Sequence, residues 1–172
     1  MINWFFFPQS LEPIELAKAI VSVFESVETR IASPQNKLNS NTVLSHLRPG
    51  LVNLGFRVES GKKKGQKITI PVLFGKNGKP VKSYDADAYH EQQRFVLEVE
   101  AGRAVSNNQF LKDLTEACLM VNVNFVGIAV RNTYTAGSQT GQDFEYVKTF
   151  FETLYASSRL QLPLNGVLLI GY

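Results

Sequence analysis

The sequence predicts an α/β domain: a mixed β-sheet, built from antiparallel hairpin strands plus later single strands, flanked by helices. Three observations lead there. Segments of helical and strand-like periodicity alternate, in the order helices, three or four antiparallel strands, helix, strand, helix, strand. The run NFVGIAV, residues 124–130, is almost wholly apolar, which suits a central strand covered on both faces. With 172 residues, 44% of them hydrophobic, the chain has enough apolar surface for one sizeable core, and it carries no repeat, linker or low-complexity stretch.

The opening MINWFFFPQS is apolar but short, with no basic n-region and no small-residue cleavage site, and reads as a packed N-terminal segment. Residues 10–31 set Ile14, Ala17, Val21, Phe24 and Val27 at helical spacing, with Ser10 as a cap and Pro13 in the first turn. A polar link, SPQNKLNSN, leads to a second helix over 41–54, stopped by Gly55 and expected to kink or break at Pro49. Residues 56–59 begin a strand and KITIPVLF, residues 67–74, continues it, with Pro71 marking an edge or a bulge. GKNGKP is a turn, and residues 81–90 and 94–100 form the best hairpin in the chain.

A helix over 106–120, opening at Ser106 or Asn107, aligns Phe110, Leu111, Leu114, Ala117 and Cys118 on one side. Cys118 is therefore assigned to the core, and as the lone cysteine it excludes a disulfide framework within the chain and fits a reduced, cytoplasmic compartment. After the central strand come a polar loop, NTYTAGSQTGQ, a helix over 142–157 and a last apolar strand, GVLLIG. The whole chain reads as one domain: residues 1–40 as an N-terminal helical extension, 41–131 as the core motif region, and 132–172 as a C-terminal helix and strand.

The chemistry concentrates in SYDADAYHEQQRFVLEVEAGRA, residues 83–104. Side chains alternate along a strand, so Glu98 and Glu100 share one face while Phe95, Leu97 and Val99 share the other, which is core. A hairpin loop of Glu91–Gln92, or of His90–Gln93, opposes 85 to 98 and 87 to 96, crowding Asp85, Asp87, Glu98 and Glu100 into one patch. Like charges set opposite each other in a sheet are destabilising, so four carboxylates call for cations. A hard divalent ion such as Mg2+ or Mn2+ suits all-oxygen donors; the structural alternative is that these acids are solvated or paired with Arg94, Arg103 and nearby lysines.

The formal charge of +3 says little, but its distribution says more. Lys62, Lys63, Lys64, Lys67, Lys76, Lys79 and Lys82 fall in one short window beside the glycines of two turns. They read as a grip on nucleic-acid phosphates, Lys62, Lys63, Lys64 and Lys67 foremost, or as hairpin ends kept soluble by charge. His90 in the hairpin loop and His46 on a helix read as surface groups. Tyr84, Tyr89 and Tyr134 read mostly as packing. No Gly-rich phosphate loop, Cys/His metal spacing or G-x-S-x-G elbow is present.

The stretch around Asp87 and Glu98-Val99-Glu100 resembles the catalytic hairpin of the PD-(D/E)XK, or restriction endonuclease-like, nuclease superfamily, over about residues 41–131. In that family an acid on the second strand is followed, roughly ten to twenty residues on, by (D/E)-x-K on the third strand and then a helix. Asp87 takes the first place, with Asp85 as the alternate. Two departures stand out: Ala86 replaces the proline before the aspartate, and Glu100 occupies the lysine position, a Glu-x-Glu form similar to that of some type II restriction endonucleases.

The resemblance implies that Asp87, Glu98 and the Val99 carbonyl hold Mg2+ or Mn2+, that Glu100 orients or deprotonates the attacking water, and that the activity is endonucleolytic hydrolysis of DNA. Arg103, Asn108, Gln109 and Lys112 are alternates for the positive or polar groups the missing lysine would supply; Asn107 and Asn108 equally suit a helix cap. DNA is the expected partner, with no membrane and a possible homodimer. The rival reading is a catalytically inactive module of the same fold binding nucleic acid or a protein, and a third is a small-molecule or Ca2+-binding domain.

Overall fold

In the computed structural model, which describes every residue except 62, 64, 137 and 138, the chain forms a six-stranded mixed sheet covered by helices on both faces. In chain order the sheet strands are β1 (Asn3–Phe7), β2 (Arg57–Val58), β5 (Ala88–His90), β6 (Phe95–Glu100), β7 (Phe125–Val130) and β10 (Gly166–Gly171). β3 (Ile68–Phe74) pairs with β4 (Pro80–Ala86) in a hairpin of its own, as does β8 (Tyr134–Ala136) with β9 (Gln139–Gly141). The helices are α1 (Glu15–Ser26), α2 (Glu28–Ile31), α3 (Ser40–Asn53), α4 (Gln109–Leu119) and α5 (Asp143–Ser157).

The sheet order is β1-β10-β7-β6-β5-β2, with β6, β7 and β10 parallel and the outer strands antiparallel. Parallel neighbours need crossovers, and α4 and α5 supply them. α1 and α3 pack with Phe95, Leu97 and Val99 on one face, while α4 and α5 pack with Val96, Val126 and Ile128 on the other. β7 lies at the centre, as its apolar run predicts, and its Gly127 is required there: a Cβ would come within 2.8 Å of Leu97 Cδ1 and 3.0 Å of Phe95 Cε1. Since both faces are buried, the sequence expectation that only the Phe95/Leu97/Val99 face is core is too narrow; Val96, on the carboxylate face, is fully buried.

Several elements depart from expectation. The N-terminal apolar segment is strand β1, completing the sheet beside β10; its run of three phenylalanines hid the alternation that marks a strand. The first long helix starts at Glu15, with Ile14 at its cap position rather than Ser10, and breaks at Val27. Conversely α3 runs unbroken through Pro49, because Pro49 and Ser45, whose carbonyl loses a partner, both face solvent. α3 is capped by Asn39, whose side chain accepts the Thr42 N–H at 2.9 Å. The polar loop after β7 contains the β8–β9 pair. Cys118 is only half-buried, at the margin of the α4/α5 core. His90 lies in β5, not in the hairpin loop, and is buried edge-on against Phe56 with ring centroids 5.1 Å apart.

Candidate functional site

The expected single strand over 81–90 is two strands separated by a bend at Asp87. Before it, β4 pairs with β3; after it, β5 pairs with β2 and β6. The pairing of β5 with β6 therefore ends at Ala88 opposite Leu97, and the edge of β6 beyond Leu97 is left open. Asp87 fills the gap with its side chain: Oδ2 accepts the Val99 main-chain N–H at 2.9 Å. In an extended strand the N–H and C=O of one residue point to the same edge, so the Val99 carbonyl turns toward the same opening.

The register also corrects the expectation. Ala88 opposes Leu97 and Tyr89 opposes Val96, so continuing the ladder sets Asp87 against Glu98, not against residue 96. The strand extends through His90 and the loop is Glu91–Arg94, closed by Arg94 at φ 52°. The slip is two residues, which preserves the face of every side chain. That is why the four acids still meet despite the shifted register.

Asp85, Asp87, Glu98 and Glu100 line one polar cavity of about 210 Å³ with Glu59, Asp113, Lys67, Lys112, Ser40, Asn41, Ala86 and Val99. Glu59 follows β2, and its N–H donates to the Asp87 carbonyl at 2.7 Å. Ser40 Oγ accepts the Ala101 N–H at 3.1 Å, tying the start of α3 to the end of β6. Asp113 projects from α4 and is only 6% exposed. Sequence reasoning missed Glu59 and Asp113. The signal for Asp113 was legible: it sits on the buried stripe of α4 with Phe110, Leu114 and Ala117, where a carboxylate is out of place without a role. For Glu59 nothing local distinguished it.

The electrostatics follow from crowding. Burial pushes the Glu100 carboxyl up to about 8, with Asp113 and Asp87 adding repulsion and Lys112 opposing. Burial likewise lifts Asp113 to about 6, against the pull of Lys112, and raises Glu98 well above the usual carboxylate range, reinforced by Asp87 and Asp113. Among the described residues Asp113 Oδ2 is buried with no donor to bond, while its carboxyl sits within hydrogen-bonding reach of Glu100. At Lys112 burial alone would depress the ammonium, but Asp113, Glu116 and Glu98 outweigh it and hold its pKa above the usual value. Lys112 Nζ lies 3.6 Å from Asp113 Oδ1 and 3.5 Å from Glu116 Oε1.

These groups fit a hard divalent cation: the donors are all oxygen, acidic groups outnumber the two lysines, and three carboxyls are raised in a way that a nearby positive charge would relieve. Among the described residues no three carboxylate, imidazole or thiol groups lie where they could together hold a metal ion. An ion of the Mg2+ type does not need three, since it takes one or two carboxylates and keeps several waters.

The remaining candidates separate. Lys67 enters the cavity and pairs with Asp85 at 2.5 Å, while Thr69 Oγ1 donates to the other Asp85 oxygen at 2.9 Å, so Asp85 is the more peripheral of the two aspartates. Lys63 is exposed on the preceding loop; Lys62 and Lys64 lie outside the described residues. Arg103, exposed at φ 69°, and Asn108 and Gln109 at the start of α4 are outside the set of described residues lining the cavity. Asn108 occupies the α4 cap position in a left-handed conformation, and its side chain makes no capping bond, unlike the expected Asn107/Asn108 cap. Tyr89 is buried, Tyr84 lies under Lys82 at 4.8 Å, and Tyr134 lies under Arg131 at 5.5 Å, all packing roles. No helix among the described residues is long and apolar enough to cross a membrane.

No family model and no curated protein matches the chain. Among solved structures it is similar to restriction endonuclease BglII bound to a DNA 16-mer, with 14% identity and a TM-score of 0.57 over 99% of this chain and 75% of that one. It is similar also to free BglII, with 14% identity and a TM-score of 0.54 over 99% of this chain and 78% of that one. The six-stranded mixed sheet with helices on both faces is therefore a restriction endonuclease-like fold.

Proposed function

We propose that this chain is a Mg2+- or Mn2+-dependent endonuclease that hydrolyses DNA phosphodiester bonds at the carboxylate cavity. The observation that carries the reading is the open edge of β6, where the bend at Asp87 brings Asp87, Glu98 and Glu100 around one small polar space on a restriction endonuclease-like scaffold. In the PD-(D/E)XK pattern Asp87 is the first acid and Glu98-Val99-Glu100 the second element. Asp87, Glu98 and the Val99 carbonyl hold the cation, which when bound neutralises the scissile phosphate and makes a water more acidic.

Glu100 would orient the attacking water or take its proton; burial and Asp113 push its carboxyl up to about 8, so it serves as a base only where a bound cation lowers that value. Lys112, which also lines the cavity, offers the positive charge that a lysine at position 100 would give the transition state. Lys63 and Lys67, with Lys62 and Lys64, hold the flanking phosphates. Cleavage of both strands by one such site per chain calls for a homodimer, each copy using residues 1–172 as a single nuclease unit. A cytoplasmic location suits the free thiol of Cys118.

The test is cleavage of supercoiled and linear DNA with Mg2+ or Mn2+, comparing wild type with Glu98→Ala and Asp87→Ala. Nicking that requires metal and disappears in both variants supports the reading. A wild-type protein inert on every DNA and RNA form tested, with no binding in a metal titration, sinks it. The second reading, a non-catalytic module of this fold, is favoured by one feature: Lys112 is already engaged by Asp113 and Glu116 on its own helix.

A further inference from the structure

The β3–β4 hairpin stands apart from the central sheet. Its base is anchored: Ile68, Ile70 and Ala86 are buried with Tyr89, Val96 and the α4/α5 core, and the Lys67–Asp85 pair ties it to the rim of the carboxylate cavity. Its outer half is built differently. Leu73, Phe74 and Val81 are 59%, 58% and 66% exposed, and Lys76, Lys79 and Lys82 are exposed around them. No aspartate or glutamate occurs from Ile68 to Tyr84. The tip is nevertheless well defined, with the Gly75 N–H bonded to the Lys79 carbonyl at 2.8 Å and Asn77 and Gly78 in left-handed conformations at φ 59° and 70°.

A lone exposed apolar residue needs no explanation, but three together among three lysines, with no acid, do. The partner must be a polyanion that also offers apolar surface between its charges. A groove of duplex nucleic acid has that pattern, with phosphates on both rims and base edges on the floor, and the major groove of B-DNA admits a two-stranded β-ribbon. A second copy of the tip would set lysines against lysines. At about 3.3 Å per residue, β4 carries the tip roughly 15–20 Å from Asp85, or about five base pairs at 3.4 Å each along a duplex whose phosphate lies at the cavity.

We propose that the β3–β4 hairpin enters a groove of duplex DNA about five base pairs from the carboxylate cavity, with Lys76, Lys79 and Lys82 on phosphates and Leu73, Phe74 and Val81 against base edges. The inference rests on the DNA reading of the cavity and extends it to a second contact region that positions the duplex.

The experiment measures binding of the full chain to a 30-base-pair duplex by fluorescence anisotropy over a series of salt concentrations, with Ca2+ in place of Mg2+, together with hydroxyl-radical footprints. Wild type is compared with Lys76→Gln/Lys79→Gln/Lys82→Gln and with Leu73→Ser/Phe74→Ser/Val81→Ser; Phe74→Ser alone stands in if the triple variant does not fold. The lysine variant should bind more weakly and lose about 2–3 from the slope of log K against log salt. The apolar variant should bind about tenfold or more weakly with the slope unchanged, and both should shorten the footprint by about five base pairs on one side. Wild-type binding and footprint in both variants would overturn the inference while leaving the DNA reading intact. No duplex binding by wild type would overturn both. Loss of binding to phosphatidylserine vesicles in the variants, with DNA binding unchanged, would reassign the tip to a lipid surface.

Discussion

Asp87 Oδ2 accepts the main-chain N–H of Val99 at 2.9 Å, so a side chain takes the place of the ladder partner that β5 no longer supplies. The same carboxylate thus closes the sheet edge and faces the cavity, and the two duties are separable. In Asp87→Asn the amide oxygen still accepts the Val99 N–H and one charge leaves the crowded carboxylate set, so the fold should be at least as stable as wild type while metal-dependent cleavage is lost. Asp87→Ala leaves a partly buried N–H unsatisfied and should cost about 1–3 kcal/mol as well. Urea unfolding of both variants checks this, and equal losses would remove the structural duty from Asp87.

Stability should depend on pH in the direction set by the raised carboxyls. Glu100 is lifted from 4.5 to about 8 and Asp113 from 3.8 to about 6, so between about pH 4 and pH 8 the folded chain holds protons that the unfolded chain has released. Stability is therefore greatest at the acidic end of that window and falls as pH rises through it. In EDTA the melting temperature at pH 8 should lie below that at pH 5.5 by several degrees, a loss of about 2 kcal/mol corresponding to about 4–8 °C. Mg2+ or Mn2+ should narrow the gap, and Glu98→Gln should raise the metal-free melting temperature at pH 8. A metal-free melting curve that rises with pH contradicts the picture of uncompensated carboxylates.

On the proposed reading, Lys112, which lines the cavity beside Asp113, supplies the positive charge that a lysine at position 100 would give. Lys112→Ala should lower the single-turnover cleavage rate by about 10²–10³-fold, the usual loss when one charge-stabilising donor is removed from a transition state. DNA affinity should change little. A Lys112→Ala protein that cleaves at the wild-type rate would move the role elsewhere and leave Lys112 as a helix-surface ion-pair partner.

Gly127 tests the packing that supports the site. Its added methyl in Gly127→Ala meets Leu97 Cδ1 and Phe95 Cε1 beneath the centre of the sheet, and overpacking of this kind costs about 1–3 kcal/mol. Phe95 and Leu97 lie on the strand that presents Glu98 and Glu100, so cleavage should fall along with the denaturation midpoint. A midpoint matching wild type would mean that β6 shifts freely relative to β7.

The architecture was readable because its signals are local. The all-apolar run of β7, the alternation of β6 and the stripes of α4 and α5 each depend only on the period of the element and on which faces are covered. What escaped were features whose cause lies elsewhere in the chain. β1 is a strand because β10 offers an edge to it, and α3 passes through Pro49 because Ser45 happens to face water. His90 is buried because Phe56 covers it.

The sequence by itself determined the composition of the carboxylate set on β6 and at Asp87, since alternation puts Glu98 and Glu100 on one face and a two-residue slip in register leaves that face unchanged. It also determined a basic hairpin free of acids between Ile68 and Tyr84. Only the tertiary structure decided that the strand breaks at Asp87, that Glu59 and Asp113 join the cavity, and that Asp85 is drawn aside by Lys67. The physical reason is distance along the chain. A strand's periodicity is set by its own backbone, whereas the partner of a carboxylate is whichever charge the fold carries to it.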